Sequence, residues 1–154
     1  TVLAHRHAGS PEAVEALAAF ERAYAHDPLV MDKWFQIQAA APGPQALETV
    51  RALCAHPAFS MTNPNRQRAL VGTFSAANQT GFHRPDGESY RFFTETVLET
   101  EKRNPQMAAR LATALRSWRS LEPTRQARAR AALLSLAAGA QSADLKDIVE
   151  RTLA

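Results

Sequence analysis

Histidine, glutamate, cysteine and arginine are the side chains here with reactive potential, and their spacing decides what chemistry is open to them. The 154-residue chain has five histidines, His5, His7, His26, His56 and His83. A zinc peptidase centre needs two imidazoles one helical turn apart, with a glutamate between them to activate water: the H-E-x-x-H pattern. None of the five has that context. His5-Arg6-His7 alternates two imidazoles but offers no third ligand, so no metal ligand is assigned. His26 and His56 fall at the ends of helical stretches, where an imidazole meets the last carbonyls. Glu95, Glu99 and Glu101 share one acidic helix and read as a solvated face rather than an acid–base pair. Cys54, the only cysteine, sits in an apolar helical pattern and reads as a buried, inert thiol; no intrachain disulfide is possible. P-loop, nucleophile-elbow and dinucleotide-binding glycine patterns are absent from a chain with six glycines. The reading is therefore no catalytic residue and no metal site.

Two arginine-bearing segments stand apart. Met61-Thr62-Asn63-Pro64-Asn65-Arg66-Gln67-Arg68 makes Asn63 a helix N-cap with Pro64 at the first helical position. Arg103-Asn104-Pro105-Gln106-Met107-Ala108-Ala109-Arg110-Leu111 repeats the device. Each delivers an arginine, Arg68 or Arg110, to the second turn of its helix. Spacing alone leaves two readings open. Both arginines pair with nearby acids or lie in solvent, or both helix starts aim guanidinium groups into a shared concavity.

The elements that must position these groups are helices. Alanine and arginine are plentiful, β-branched residues are sparse, and alternating strand patterns are missing. The nine prolines all fit helix starts or the connections before them. Helices are expected after Ser10-Pro11 (Val14, Leu17, Ala18 and Tyr24 on one face) and after Asp27-Pro28 (Met31, Trp34, Phe35, Gln38). A third follows Pro42-Gly43-Pro44 (Leu47, Val50, Cys54), and a fourth follows Asn63-Pro64 (Gln67, Leu70, Val71, Phe74). The stretch from Ala77 to Arg84 reads as a polar connection. Beyond Pro85-Asp86-Gly87 a helix carries Tyr90, Phe93 and Val97. Another follows Asn104-Pro105 (Met107, Leu111, Ala114, Leu115, Trp118), the next follows Pro123 (Ala127, Ala131, Leu134, Ala138), and the last follows Ser142 (Leu145, Ile148, Val149, Thr152). The expected fold is all-α: one domain over residues 1–154, a superhelical stack of about eight antiparallel helices paired as HEAT- or armadillo-like hairpins.

Charge and length bound the partners. The net charge is +3. Seven arginines and a single acid, Glu122, lie between Arg103 and Ala143, next to an acidic stretch from Asp86 to Glu101. The basic block lacks interleaved exposed aromatics, so no nucleic-acid role is assigned. No apolar run approaches the ~20 residues that span a bilayer, and no signal-peptide pattern is visible. No membrane role is assigned. The start at Thr1 rather than Met fits an excised fragment.

Leu29-Val30-Met31-Asp32-Lys33-Trp34-Phe35, Leu47-Glu48-Thr49-Val50-Arg51, Phe59-Ser60-Met61-Thr62-Asn63-Pro64-Asn65-Arg66 and Arg103-Asn104-Pro105-Gln106 together resemble the C-terminal region of the bacterial aminopeptidase N family. The pairs Phe82-His83 and Asp86-Gly87 and the end Thr152-Leu153-Ala154 fit in order, so the resemblance covers nearly the whole chain. It implies a non-catalytic helical domain of a zinc-dependent, broad-specificity, alanyl-type aminopeptidase of the cytoplasm. It further implies that zinc and the H-E-x-x-H helix belong to an upstream catalytic domain, with no cofactor in this chain. Its partners would be the other domains of the same polypeptide and peptide substrates. In the family this domain closes over the catalytic chamber, and Arg68 and Arg110 match arginines facing the substrate's carboxyl side. A free-standing helical scaffold for protein or peptide binding is the alternative.

Overall fold

Proline fixes φ near the helical value and lacks the N–H that a helix start leaves unpaired. A preceding oxygen-bearing side chain satisfies the donors that remain. This pairing recurs along the computed structural model, which describes residues 10–154. Ser10 Oγ accepts from the Ala13 N–H (3.3 Å) to open α1 (Pro11–Tyr24). Asp27 Oδ1 accepts from Leu29 and Val30 to open α2 (Pro28–Ala40). Asn63 Oδ1 accepts from Asn65 and Arg66, and Asn104 Oδ1 accepts from Met107. Among the described residues every regular element is helical, as the composition implied.

The described residues fall into two compact units, up to Gly81 and from Phe82 onward. In the first, α2 is central. Its Met31, Trp34, Phe35 and Ala39 are buried, and it packs against α1, α3 (Ala46–Cys54) and α4. Helix α4 runs as an α-helical turn Pro64–Gln67, a π-helical segment Arg68–Gly72 and a further α-helical turn Thr73–Ala77. A short helix α5 (Gln79–Phe82) follows. It occupies the stretch expected to be a polar connection, because Asn78 supplies what the pattern did not reveal. Buried Asn78 donates through Nδ2 to the carbonyls of Ala39 (2.9 Å) and Ala41 (2.8 Å), at the open end of α2. Its Oδ1 accepts from the Gly81 N–H (3.0 Å), starting α5. Gly81 is required here, since a Cβ would lie 2.8 Å from the Cβ of Ala46.

The second unit contains α6 (Glu88–Glu101), α7 (Pro105–Ala112), α8 (Pro123–Gly139) and α9 (Ala143–Leu153). Helices α6 and α9 each touch both α7 and α8. The helix expected to run through Trp118 is shorter: α7 gives way to 3-10 turns at Thr113–Leu115 and Trp118–Ser120. Gly87, with φ of +81°, makes the left-handed turn into α6. Ion pairs on this unit are local in sequence, as in Arg91–Glu88, Lys102–Glu99, Arg125–Glu122 and Arg151–Asp147.

Three expected apolar faces are corrected. In α1 the buried residue is Ala13, while Val14 and Tyr24 are exposed. In α3 Leu53 takes the core position and Cys54 is half-buried. In α8 the stripe is Ala129, Ala132, Leu133 and Leu136, whereas Ala127, Ala131, Leu134 and Ala138 are exposed. An alanine-rich helix offers two candidate stripes, and the one with two leucines removes more apolar area from water. The carboxylate of Glu101 is likewise not solvated. It is buried at the end of α6 and accepts from the N–H groups of Gln141 (3.0 Å) and Ser142 (2.7 Å) and from the Ser142 hydroxyl.

Two predictions follow from these polar anchors. Asn78→Ala removes the hydrogen bonds to the carbonyls of Ala39 and Ala41 and from the Gly81 N–H, and should cost about 2–3 kcal/mol in urea denaturation of the protein. At Glu101, burial by itself raises the carboxyl pKa, but the hydrogen bonds from Ser142 and Gln141 and the charge of Lys146 outweigh it, leaving a net lowering. A lowered folded pKa makes its contribution full above the unfolded value and lost as pH falls through the folded one. The stability gap between wild type and Glu101→Gln should therefore be widest near neutral pH and close in acid. A pH-independent gap would contradict this account.

Candidate functional site

The turn after Asn63 sorts its side chains by direction. Successive residues rotate by roughly 100° in a helix, so Arg66 and Gln67 share one side while Asn65 and Arg68 share the other. Arg66 is 7% exposed. Its Nη1 lies 2.9 Å from Asp32 Oδ1 and 3.5 Å from the Pro28 carbonyl, and its guanidinium covers the Phe35 ring at 5.0 Å. The Asp32 contact is an ion pair without an aligned hydrogen bond, for Asp32 Oδ1 has no such partner. Gln67 Nε2 donates to the Met61 carbonyl (2.7 Å) and holds the preceding loop. These contacts lock the start of α4 to α2.

Arg68 is exposed. Its Nη2 donates to Asn65 Oδ1, and among the described residues no carboxylate pairs with it. The π-helical segment begins at Arg68 and places Ala69, Leu70 and Val71 in the core in succession. Such segments insert a residue into the helical path and recur at functional sites. The sequence motif contains both Arg66 and Arg68, and Arg66 was not singled out. The signal was present: Gln67, Leu70 and Phe74 mark the inner face, and Arg66 lies beside Gln67 on it.

Arg110 has the same character in the second unit. Met107, Ala108, Ala109, Leu111 and Ala112 are all buried in α7, and Arg110 alone among them reaches solvent. The carbonyl of Arg110 accepts from Thr113 Oγ1 (2.7 Å), while no carboxylate among the described residues pairs with its guanidinium. Of the first reading for these arginines, the solvent-facing form is the one seen among the described residues, and pairing with nearby acids is not. Arg68 belongs to the first unit and Arg110 to the second.

The remaining reactive groups have structural employment. His83 is buried, and its Nδ1 lies 2.6 Å from Tyr90 Oη. Burial, and secondarily the charge of Arg125, lowers the His83 pKa; burial pushes the Tyr90 phenol up to about 12. Both groups are thus held in their neutral forms, joined by one hydrogen bond. Arg125 Nε donates to the His83 carbonyl (2.6 Å) and ties α8 to this cluster. His56 Nδ1 accepts from the Ala58 N–H (3.1 Å), so Nε2 carries the proton it presents to Glu21 at 2.9 Å. Burial raises the Cys54 thiol to about 11, which leaves it protonated and unreactive at neutral pH. His26 is exposed at the end of α1, and His5 and His7 lie outside the described residues. No grouping of three His, Cys, Asp or Glu side chains among the described residues could hold a metal ion, so they do not fit a zinc centre. No described helix is long and apolar enough to cross a membrane.

The chain matches, over residues 1–154, the family described as "Domain of unknown function (DUF3458_C) ARM repeats". It is 48% identical over 109 residues to aminopeptidase N of Caulobacter vibrioides, covering 71% of this chain and 13% of that protein. It is 41% identical over 138 residues to aminopeptidase N of Haemophilus influenzae, covering 89% of this chain and 16% of that protein. It also superposes on an aminopeptidase A of Legionella pneumophila, crystallised with aspartic acid, with a TM-score of 0.92 and 31% identity. That match takes in 98% of this chain and 18% of the other. The chain thus spans less than one fifth of each of these proteins.

The two neighbouring arginines of α4 should separate on mutation. Arg66→Ala strands a largely buried carboxylate and should destabilise the protein by about 3–5 kcal/mol. Arg68→Ala removes a solvent-facing side chain and should shift stability by no more than ~0.5 kcal/mol in the same denaturation experiment.

Proposed function

The chain belongs to the DUF3458_C family of ARM-repeat domains, the C-terminal helical domain of aminopeptidase N, and from that membership we propose how it serves a parent peptidase. It is a non-catalytic part of a zinc-dependent, broad-specificity aminopeptidase of the cytoplasm that removes N-terminal residues from peptides. Zinc and the water-activating glutamate belong to another domain of that polypeptide. This chain helps enclose the chamber where the peptide lies and contacts the substrate's carboxyl side through Arg68 and Arg110.

One observation carries this reading: two exposed guanidinium groups without carboxylate partners among the described residues, each delivered by an Asn-Pro helix start whose neighbouring residues are buried. A planar guanidinium presents parallel N–H donors that match a carboxylate. A pre-existing ion pair would have to be broken before a substrate could bind; among the described residues none intervenes. The contact orients the peptide and takes no part in bond cleavage. Exposed apolar side chains on the first unit, Leu29 (72% exposed), Val14 (55%) and Ile37 (47%), fit a surface that other parts of the same polypeptide cover.

In the full-length polypeptide, Arg68→Ala or Arg110→Ala should raise KM for short peptides with a free carboxyl end about tenfold, equivalent to ~1.4 kcal/mol. The amide-capped forms of the same peptides should change little. Equal losses on both substrate classes would defeat the carboxylate contact.

A further inference from the structure

Arg68 is held by a neutral neighbour rather than by an acid. The Arg68 backbone N–H bonds to the carbonyls of Asn65 and Pro64, while its Nη2 donates to the Asn65 side-chain oxygen. Asn65 is exposed and does not cap the helix, a role already filled by Asn63. Its backbone is fixed nonetheless: the Asn65 N–H donates to Asn63 Oδ1 (3.0 Å), Pro64 precedes it, and Arg66 anchors the next residue on Asp32. The segment therefore presents to the Arg68 cation an amide oxygen carried on a held backbone.

We propose that Asn65 is a positioning residue for Arg68, restricting its guanidinium without neutralising it, ready for a substrate carboxylate. This inference rests on the carboxylate reading of Arg68 given above. The chemistry favours an amide over the alternatives. A free arginine loses rotamer freedom when it closes on a ligand, and a partner that restricts it beforehand reduces that loss. An aspartate at position 65 would restrict it equally but neutralise its charge and compete with the substrate for the same donors. The Asn65 oxygen takes one edge of a five-donor fork and leaves other N–H groups for a carboxylate.

The test uses the full-length polypeptide and compares a short free-carboxyl peptide with its amide. Asn65→Ala should raise KM for the free-carboxyl peptide about three- to tenfold, the cost of ordering one long side chain, with kcat unchanged and the amide unaffected. Asn65→Asp should be worse than Asn65→Ala on the free-carboxyl peptide and again neutral on the amide. Combined with Arg68→Ala, Asn65→Ala should add nothing further. An Asn65→Ala enzyme equal to wild type on both peptides, or impaired equally on both, would overturn the role of Asn65. So would additivity with Arg68→Ala. If Arg68→Ala discriminates between the peptides and Asn65→Ala does not, only the positioning role fails. If Arg68→Ala itself does not discriminate, the carboxylate reading fails and takes this inference with it.

Discussion

Short helices end often, and each end leaves backbone donors or acceptors that must find partners. This constraint organises both units. Asn78 closes the C-terminal end of α2 and opens α5 with one amide, using donors and acceptor together. Glu101 reaches from the end of α6 to the backbone N–H groups that precede α9, where negative charge is favoured. The far end of α9 is served from the 3-10 turn. Trp118 Nε1 and Arg119 Nη1 both donate to the Thr152 carbonyl at 2.9 Å, and Arg119 Nη2 donates to Leu153. The guanidinium of Arg119 lies over the Trp118 ring at 4.4 Å, so packing and capping reinforce one another. Remove these side chains and the apolar stripes lose the helix ends that align them.

Arginine has opposite employments within three residues of one helix. Arg66 is desolvated, and its charge is compensated by Asp32 and the face of Phe35. Arg68 keeps its charge toward solvent. The first makes the second useful, because a guanidinium can only be aimed by a backbone that does not move. The same division appears on α7, where small buried alanines press the helix against its neighbours and Arg110 projects from that packed base.

Helix starts were legible in the sequence because their cause is local. Ser10, Asp27, Asn63, Asn104 and Ser142 each precede a helix and accept from its first N–H groups, as their types and spacing indicate. Prolines at four of those starts made the boundaries firmer still. What was not legible depends on partners distant in the chain. The acidity of Glu101 suggested solvent, and only its meeting with Ser142, 41 residues away, explains its burial. The inner face of α8 was misjudged since alanine carries too little area to distinguish one stripe from another; Leu133 and Leu136 decide it. Asn78 reads as a loop residue in sequence, because the carbonyls its amide serves, those of Ala39 and Ala41 at the end of α2, lie 39 and 37 residues earlier in the chain. At the candidate site, position was readable for Arg68 and Arg110, but the contrast between Arg66 and Arg68 was readable only from the phase of the buried residues around them.

The π-helical segment Arg68–Gly72 is a widened turn inside one rod. Upstream of it, the phase of α4 is set by Arg66 against α2; downstream, by Phe74 and Ser75 in the core. A wide turn of this kind takes up one inserted residue, so loss of a single residue from it would restore an ordinary α-helix and leave the two halves in nearly the same phase. Such a loss would take away one of the three successive core positions Ala69, Leu70 and Val71. The widened turn therefore lets the rod carry an added residue without rotating Arg66 away from α2 or Phe74 out of the core.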